Sequence, residues 1–303
     1  MMFSFTTEQV QYELNNIKVG GLPGENPTLM FGSLFYEGEF DRPKDNTVRA
    51  KELIDQQINV SKTTHVPAIP DIFIYEEEEI DWKIDFALDQ IGGYFSIDMP
   101  ESDVRIKTLE YLKEKDGLDR VIYNSINIGI VEEEIEALNR YTPDSAVVLA
   151  FNPKSGNVQG RLDIIKDGGQ LLDEGLIEIA NDAGIENLLL DTAAQPFKEG
   201  ASETLRAIPV FKSEFGLPVG CAMHNTVESW QWLGEQKKKV FDTIDTSIND
   251  LPIILGGDFI YYGPIENAET QLTNISMVDK LVAEGAEEYF GIDIDPEHPY
   301  NHL

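Results

Sequence analysis

Cysteine is almost absent. Cys221 stands alone among 303 residues, so no intrachain disulfide can form and the fold must rest on burial and hydrogen bonding. Histidine is nearly as scarce. His65, His224, His298 and His302 are the whole supply, and none stands in a His-x-His or Glu-x-x-His spacing, so no metal is expected. Positive charge is thin: 23 Lys and Arg face 55 Asp and Glu, a net charge of −32. Such a chain repels nucleic acid and anionic lipid, and no nucleic-acid partner is expected. No apolar run approaches the roughly 18 residues that a membrane-spanning helix needs. The start, Met1-Met2-Phe3-Ser4-Phe5-Thr6, lacks the basic and apolar regions of a secretory leader. A soluble, cytoplasmic protein without direct membrane insertion is expected. Also missing are a Gly-x-Ser-x-Gly elbow and a phosphate-binding P-loop, which removes the serine-hydrolase and P-loop classes.

What is present is acid spread along the chain instead of gathered in a tail. That distribution reads as adaptation to a salt-rich, halophilic setting more simply than as a site for a cationic partner. Two acidic clusters, Glu76 to Glu79 and Glu132 to Glu134, fall where helices should begin and would stabilise the positive end of the helix dipole.

The patterning has a clear order. Residues 1–25 read as a β-hairpin: Val10 to Glu13 and Ile17 to Val19 flank the turn pair Asn15-Asn16. After Gly20-Gly21-Leu22-Pro23-Gly24, short apolar runs alternate with amphipathic stretches. The runs are Thr28 to Phe31, Ala68 to Pro70, Gly93 to Ile97, Arg120 to Tyr123, Ala146 to Phe151, Asn187 to Leu190, Leu217 to Cys221 and Asp258 to Tyr261. Strand alternating with helix implies a parallel sheet. Eight units favour an α/β fold closed as a (β/α)8 TIM barrel. A doubly wound sheet is disfavoured because no Gly-rich loop follows Phe31. One TIM-barrel domain spanning 1–303, with 1–25 as its N-terminal hairpin, is the expectation.

In such a barrel the active site forms at the C-terminal ends of the strands. The polar residues there make a series: Ser33, Asp71, Asp98, Asn124, Asn152, Asp191, Asn225 and Tyr262. The set is rich in Asp and Asn and poor in cations. It suits a neutral heterocycle with adjacent N–H donors, such as a pterin, better than a phosphate ester. Any one of these residues, taken singly, also reads as a loop or helix cap. Cys221 lies within an apolar run and reads as a packed thiol, while His224 reads as supporting the site or facing a partner.

At these residues the sequence resembles the MtrH family, the methyltransferase component of tetrahydromethanopterin S-methyltransferase, together with its soluble relatives, the methylcorrinoid:tetrahydrofolate methyltransferases. The carriers include Val19 to Glu25, Gly32-Ser33-Leu34-Phe35-Tyr36, Ile97-Asp98, Tyr123 to Asn127, Leu149 to Asn152, Leu190 to Ala194, Phe215 to Gly220, His224-Asn225 and Tyr262 to Asn267. The resemblance implies a barrel of the pterin-binding-enzyme type. It implies transfer of a methyl group between N5 of a tetrahydropterin and the cobalt of a corrinoid protein. It places the pterin on Asp98, Asn124 and Asp191, with Asn127 and Asn152 at further matching motif ends, and sets Asn225 at N5 as the catalytic residue. The tetrahydropterin is then a substrate, no cofactor is tightly bound, and the corrinoid arrives on a partner, since this chain has no Asp-x-His-x-x-Gly motif. A homodimer is expected. Two stretches depart from the family: Glu37 to Arg42, which is shorter and less basic, and His65 to Asp71.

Two other functions fit the same fold. A dihydropteroate-synthase-like enzyme would need an Arg-x-His after the last strand, where this chain has Tyr261-Tyr262-Gly263-Pro264. A non-catalytic protein that docks a corrinoid protein would not need the Asp98, Asn124, Asp191 and Asn225 set.

Overall fold

The computed structural model describes residues 5–36 and 43–302; the divergent segment Glu37 to Arg42 lies outside them. The chain opens with an antiparallel hairpin, β1 (Gln11–Leu14) and β2 (Ile17–Gly20). Its turn places Asn15 at φ 58°, a left-handed conformation that Asn tolerates. Eight parallel strands follow: β3 (Leu29–Leu34), β4 (Ala68–Phe73), β5 (Phe95–Asp98), β6 (Val121–Ile126), β7 (Ser145–Leu149), β8 (Asn187–Asp191), β9 (Val219–Cys221) and β10 (Phe259–Pro264). They close in sequence order, β10 pairing with β3, into a TIM barrel with helices outside. The helices are α1 (Pro43–Thr64), α2 (Ile80–Gln90), α3 (Ser102–Glu114), α4 (Glu132–Arg140), α5 (Val158–Asp167), α6 (Leu176–Asp182), α7 (Ala201–Phe215), α8 (Met223–Glu228), α9 (Gln231–Gly234), α10 (Lys238–Ile254) and α11 (Ala268–Phe290).

β4 runs further than its sequence suggests. Two prolines interrupt the predicted run, yet the strand extends to Phe73 and pairs on both sides. Pro70 removes one ladder donor. Its neighbours Ile69 and Ile72 are buried, and that apolar burial offsets the loss. Both acidic clusters do start helices: α4 begins at Glu132, and Glu77–Glu79 form a short 3₁₀ turn that leads into α2.

The barrel interior explains how the site is positioned. One buried layer consists of Leu29, Phe31, Ile69, Ile122, Val147, Leu189, Phe259 and Tyr261, joined by Leu14 and Val19 from the hairpin. The hairpin therefore plugs the N-terminal end. Side chains along a strand return to the same face every second residue. Two residues beyond this apolar layer, the strands present Ser33, Asp71, Asn124 and Asp191. Apolar floor and polar mouth are thus set by a single period-two pattern in each strand.

Two buried ion pairs brace the outer layer. Arg105 on α3 donates to Glu134 on α4 at 2.8 and 2.9 Å, and the Tyr123 hydroxyl donates to the same carboxylate at 2.6 Å. Lys212 on α7 reaches Asp258 at 2.9 Å and the Gly21 carbonyl at 2.8 Å, tying the hairpin's exit to the approach to β10. Among the described residues, no helix is long and apolar enough to cross a membrane.

Candidate active site

Four strands bring a carboxylate cluster together at the C-terminal end of the barrel. Register places Asp71 opposite Ser33 and Ser96, and Asp98 opposite Asn124. Ser33 donates to Asp71 Oδ2 at 3.3 Å, while Asp71 Oδ1 is buried with no protein partner. Burial pushes the Asp71 carboxyl up to about 6, moderated by hydrogen bonding with Ser96, Ser33 and Asn124. Asp98 lies well above the usual carboxylate range, through burial and then the facing charges of Asp71 and Asp191. Burial raises Asp191 to about 7, although it accepts from the Ala193 N–H at 2.7 Å and feels the Arg161 charge. Three carboxyls facing one another in a desolvated mouth cannot all ionise at once. The cluster therefore tends to retain a shared proton near neutral pH.

Beneath the cluster, the rings of Phe31 and Tyr261 stack with centroids 4.4 Å apart and planes 12° from parallel. The Tyr261 hydroxyl lies 3.3 Å from Ser96 Oγ. Arg161 is buried behind Asp191. It donates to the Gly156 and Gly200 carbonyls at 3.0 and 3.1 Å, to Thr204 Oγ1 at 3.0 Å and to the Thr192 carbonyl. Its bonds all go to neutral groups, which leaves its charge to act on Asp191.

The predicted residues divide into three groups. Asp98, Asn124 and Asp191 meet in the cluster. Asn225 sits in the first turn of α8, directly after β9, and is exposed. It is not a cap: Ala222 holds the N-cap position, and no side-chain cap bond is made. Asn127 and Asn152 need correction. Asn127 donates to the Ser125 carbonyl at 3.0 Å and accepts from the Gly129 N–H at 2.8 Å. Asn152 donates to the Gly160 carbonyl at 2.8 Å and accepts from the N–H groups of Lys154 and Ser155 at 2.9 and 3.2 Å. Both amides are consumed in shaping their own loops and have little capacity left for a ligand.

Sequence reasoning put Asp71 in the strand-end series without giving it a role, and it passed over Arg161 and the support of α8. His224 is buried, donates from Nδ1 to Asp245 at 2.8 Å and sits 3.4 Å from Glu228. Burial lowers its pKa, but the bonds to Asp245 and Glu228 outweigh this and lift it to about 9. The resulting imidazolium pins α8, and with it Asn225, to α10. Gly263 makes room for the ring: at φ 86° it lacks the Cβ that would fall 2.5 Å from the imidazole. Behind α8 lies a separate apolar cavity of about 310 Å³, lined by Leu205, Met223, Trp230, Leu233 and Ile248 among others. It does not share the polar mouth's chemistry.

Fold and site together define a TIM barrel with an acidic, cation-poor mouth over an aromatic floor. Residues 7–295 match the family described as the tetrahydromethanopterin S-methyltransferase MtrH subunit. The chain is 36% identical over 312 residues to the tetrahydromethanopterin S-methyltransferase H-subunit of Methanothermobacter marburgensis, covering 99% of each chain. It is 38% identical over 317 residues to the mtx methyltransferase H-subunit of Methanosarcina mazei, covering 100% of each. Among solved structures, the dihydropteroate synthase of Yersinia pestis superposes with a TM-score of 0.61 at 13% identity, covering 89% of this chain and 98% of that one. That of Burkholderia cenocepacia gives 0.62 at 14%, covering 93% and 100%. The latter likenesses show the fold alone. The chain belongs to the MtrH family of methyltransferase subunits.

Proposed function

We propose that the protein moves a methyl group between N5 of a tetrahydropterin and the cobalt of a corrinoid carried by a separate protein. The observation that carries this reading is the Asp71, Asp98, Asn124 and Asp191 cluster above the Phe31–Tyr261 floor, in a chain whose relatives are named methyltransferase subunits. A pterin ring offers an N–H and an amino group side by side, which one carboxylate can accept together. Tetrahydromethanopterin and tetrahydrofolate share that edge, and the relatives' names favour the former.

In the forward direction the methyl carbon–N5 bond breaks as the carbon–cobalt bond forms. Reduced cobalt supplies the electron pair, and N5 leaves carrying a proton. The chain's part is to hold the ring, to supply that proton and to stabilise it at N5. The raised pKa values of Asp98 and Asp191 make the cluster a proton source. The Asn225 amide oxygen favours the protonated N5 as charge develops. The pterin is a substrate in this scheme, no cofactor is tightly bound, and the corrinoid belongs to the partner. A reduced cobalt fits a cytoplasmic setting.

Neither alternative accounts for the site as well. A dihydropteroate-synthase-like reaction lacks its diphosphate-binding cation, because no basic residue follows β10 through Gly263-Pro264. A purely docking protein gains nothing from buried, mutually repelling carboxyls, which cost stability. We also propose a homodimer in which a second copy covers the apolar outer faces of α10 and α11, where Leu251, Ile254, Met277 and Leu281 stay exposed.

Single-turnover stopped-flow kinetics on Asn225→Ala tests the assignment. The account expects methyl transfer to slow by roughly one to three orders of magnitude, with a smaller change in pterin affinity and an unchanged melting temperature. A wild-type rate in the folded variant overturns the role of Asn225.

A further inference from the structure

At the N-terminal face of the barrel, opposite the carboxylate mouth, the turn between α1 and β4 meets the C-terminal tail. His65 stands in this turn at φ 57°, a left-handed conformation that few non-glycine residues adopt. Its ring lies flat against that of His302, centroids 3.7 Å apart and planes 3° from parallel. Glu297 completes the group: one donor atom from each of the three residues lies within 4.8 Å of the others.

The tail is held in place by its own bonds. Asp295 pairs with Lys18 at 2.6 Å, and its N–H donates to the Glu25 carbonyl at 2.8 Å. Asn301 donates to the Asp295 carbonyl at 2.9 Å, and Lys280 donates to the His302 carbonyl at 2.6 Å. Glu297 and His302 are therefore presented by a fastened turn. The His302 tautomer is fixed as well. Its Nε2 lies 2.9 Å from the Pro296 carbonyl, and a carbonyl only accepts, so the proton sits on Nε2 and Nδ1 keeps a free lone pair. Metal-ligating histidines characteristically donate their other ring N–H to such a partner, which orients the ring and raises its basicity.

We propose that His65, Glu297 and His302 form a site for a borderline divalent transition ion such as zinc, with water completing the shell. Two imidazoles and one carboxylate suit zinc better than calcium or magnesium, which prefer all-oxygen shells. Bonds of about 2.0–2.1 Å require the donors to draw together by about an ångström and the two rings to splay out of their stack. Features on this face of a TIM barrel serve stability rather than catalysis. The ion would clip the C-terminal tail to the α1–β4 turn and take no part in methyl transfer. The site escapes a motif search because His65 and His302 come from opposite ends of the chain.

The test is zinc chloride titrated by calorimetry into the intact protein in molar potassium chloride with excess magnesium, which screens non-specific binding to acidic surface. One equivalent should bind and the melting temperature should rise. His65→Ala and His302→Ala should each weaken binding by roughly a hundredfold, the upper end of what losing a mere orienting partner costs, and should abolish the rise. Cobalt(II) gives a readout that needs no variant: the intact protein should show the intense visible bands of a four- or five-coordinate nitrogen-ligated ion. Absence of stoichiometric binding overturns the proposal. So does wild-type affinity in both folded variants, and so does a weak octahedral cobalt spectrum.

Discussion

Asp191 and Asp71 hold pKa values of about 7 and about 6, both raised by burial. Ring N–H groups require ionised acceptors, so below these values binding must expel protons. Pterin affinity should fall toward acid, by up to about tenfold per pH unit for each group, and should level off above about pH 8. The stability contribution runs the other way. A folded-state pKa above the unfolded one favours the native state at low pH, and that stability is lost as pH rises from about 4 to about 7. Calorimetry between about pH 6 and pH 8 in buffers of different protonation enthalpy should show proton release on the acid side. Affinity that does not vary with pH and releases no protons would contradict the acceptor role, as would an Asp191→Ala variant that binds no more weakly than wild type, where a loss of about 1–3 kcal/mol is expected. Asp98, Asn124 and Asp191 were legible because each stands at or near the end of an apolar run. Asp71 stood in the same series but behind Pro67 and Pro70, which weakened its strand. Asn127 and Asn152 were misread because their partners lie within their own loops. The turn signals Asn127-Ile128-Gly129 and Asn152-Pro153 were present and pointed to that use.

Among the elements, the hairpin and the eight strands follow from local patterning, because period-two burial and turn residues are written into contiguous sequence. The support of α8 does not. His224 on α8, Asp245 on α10 and Gly263 on β10 meet only after the barrel closes, so nothing local announces their contact. The outer face of α11 carries a clearer message. Met277 and Leu281, one helical turn apart, are each 57% exposed in a chain otherwise rich in surface acid. Adjacent Leu251 and Ile254 on α10 extend the patch. A second copy covering it predicts sedimentation at twice the 34.0 kDa chain mass. Leu281→Asp should return the monomer with its fold intact. A wild-type monomer at micromolar concentration would rule out this interface.

At the scale of the whole molecule, the barrel converts residues spread between Ser33 and Tyr261 into one mouth, and its surface carries a net charge of −32. Self-repulsion at that charge is relieved by counterions. The melting temperature should therefore climb between low and molar potassium chloride; a flat or falling curve would refute the salt-adapted reading. The central claim concerns the reaction itself. Its most direct test follows the absorbance of free cob(I)alamin mixed with the protein and either methyltetrahydromethanopterin or methyltetrahydrofolate. The account predicts conversion to methylcobalamin with at least one of the two, dependent on the protein and lost on heating it. Failure with both, at protein concentrations where calorimetry shows the pterin bound, would contradict it.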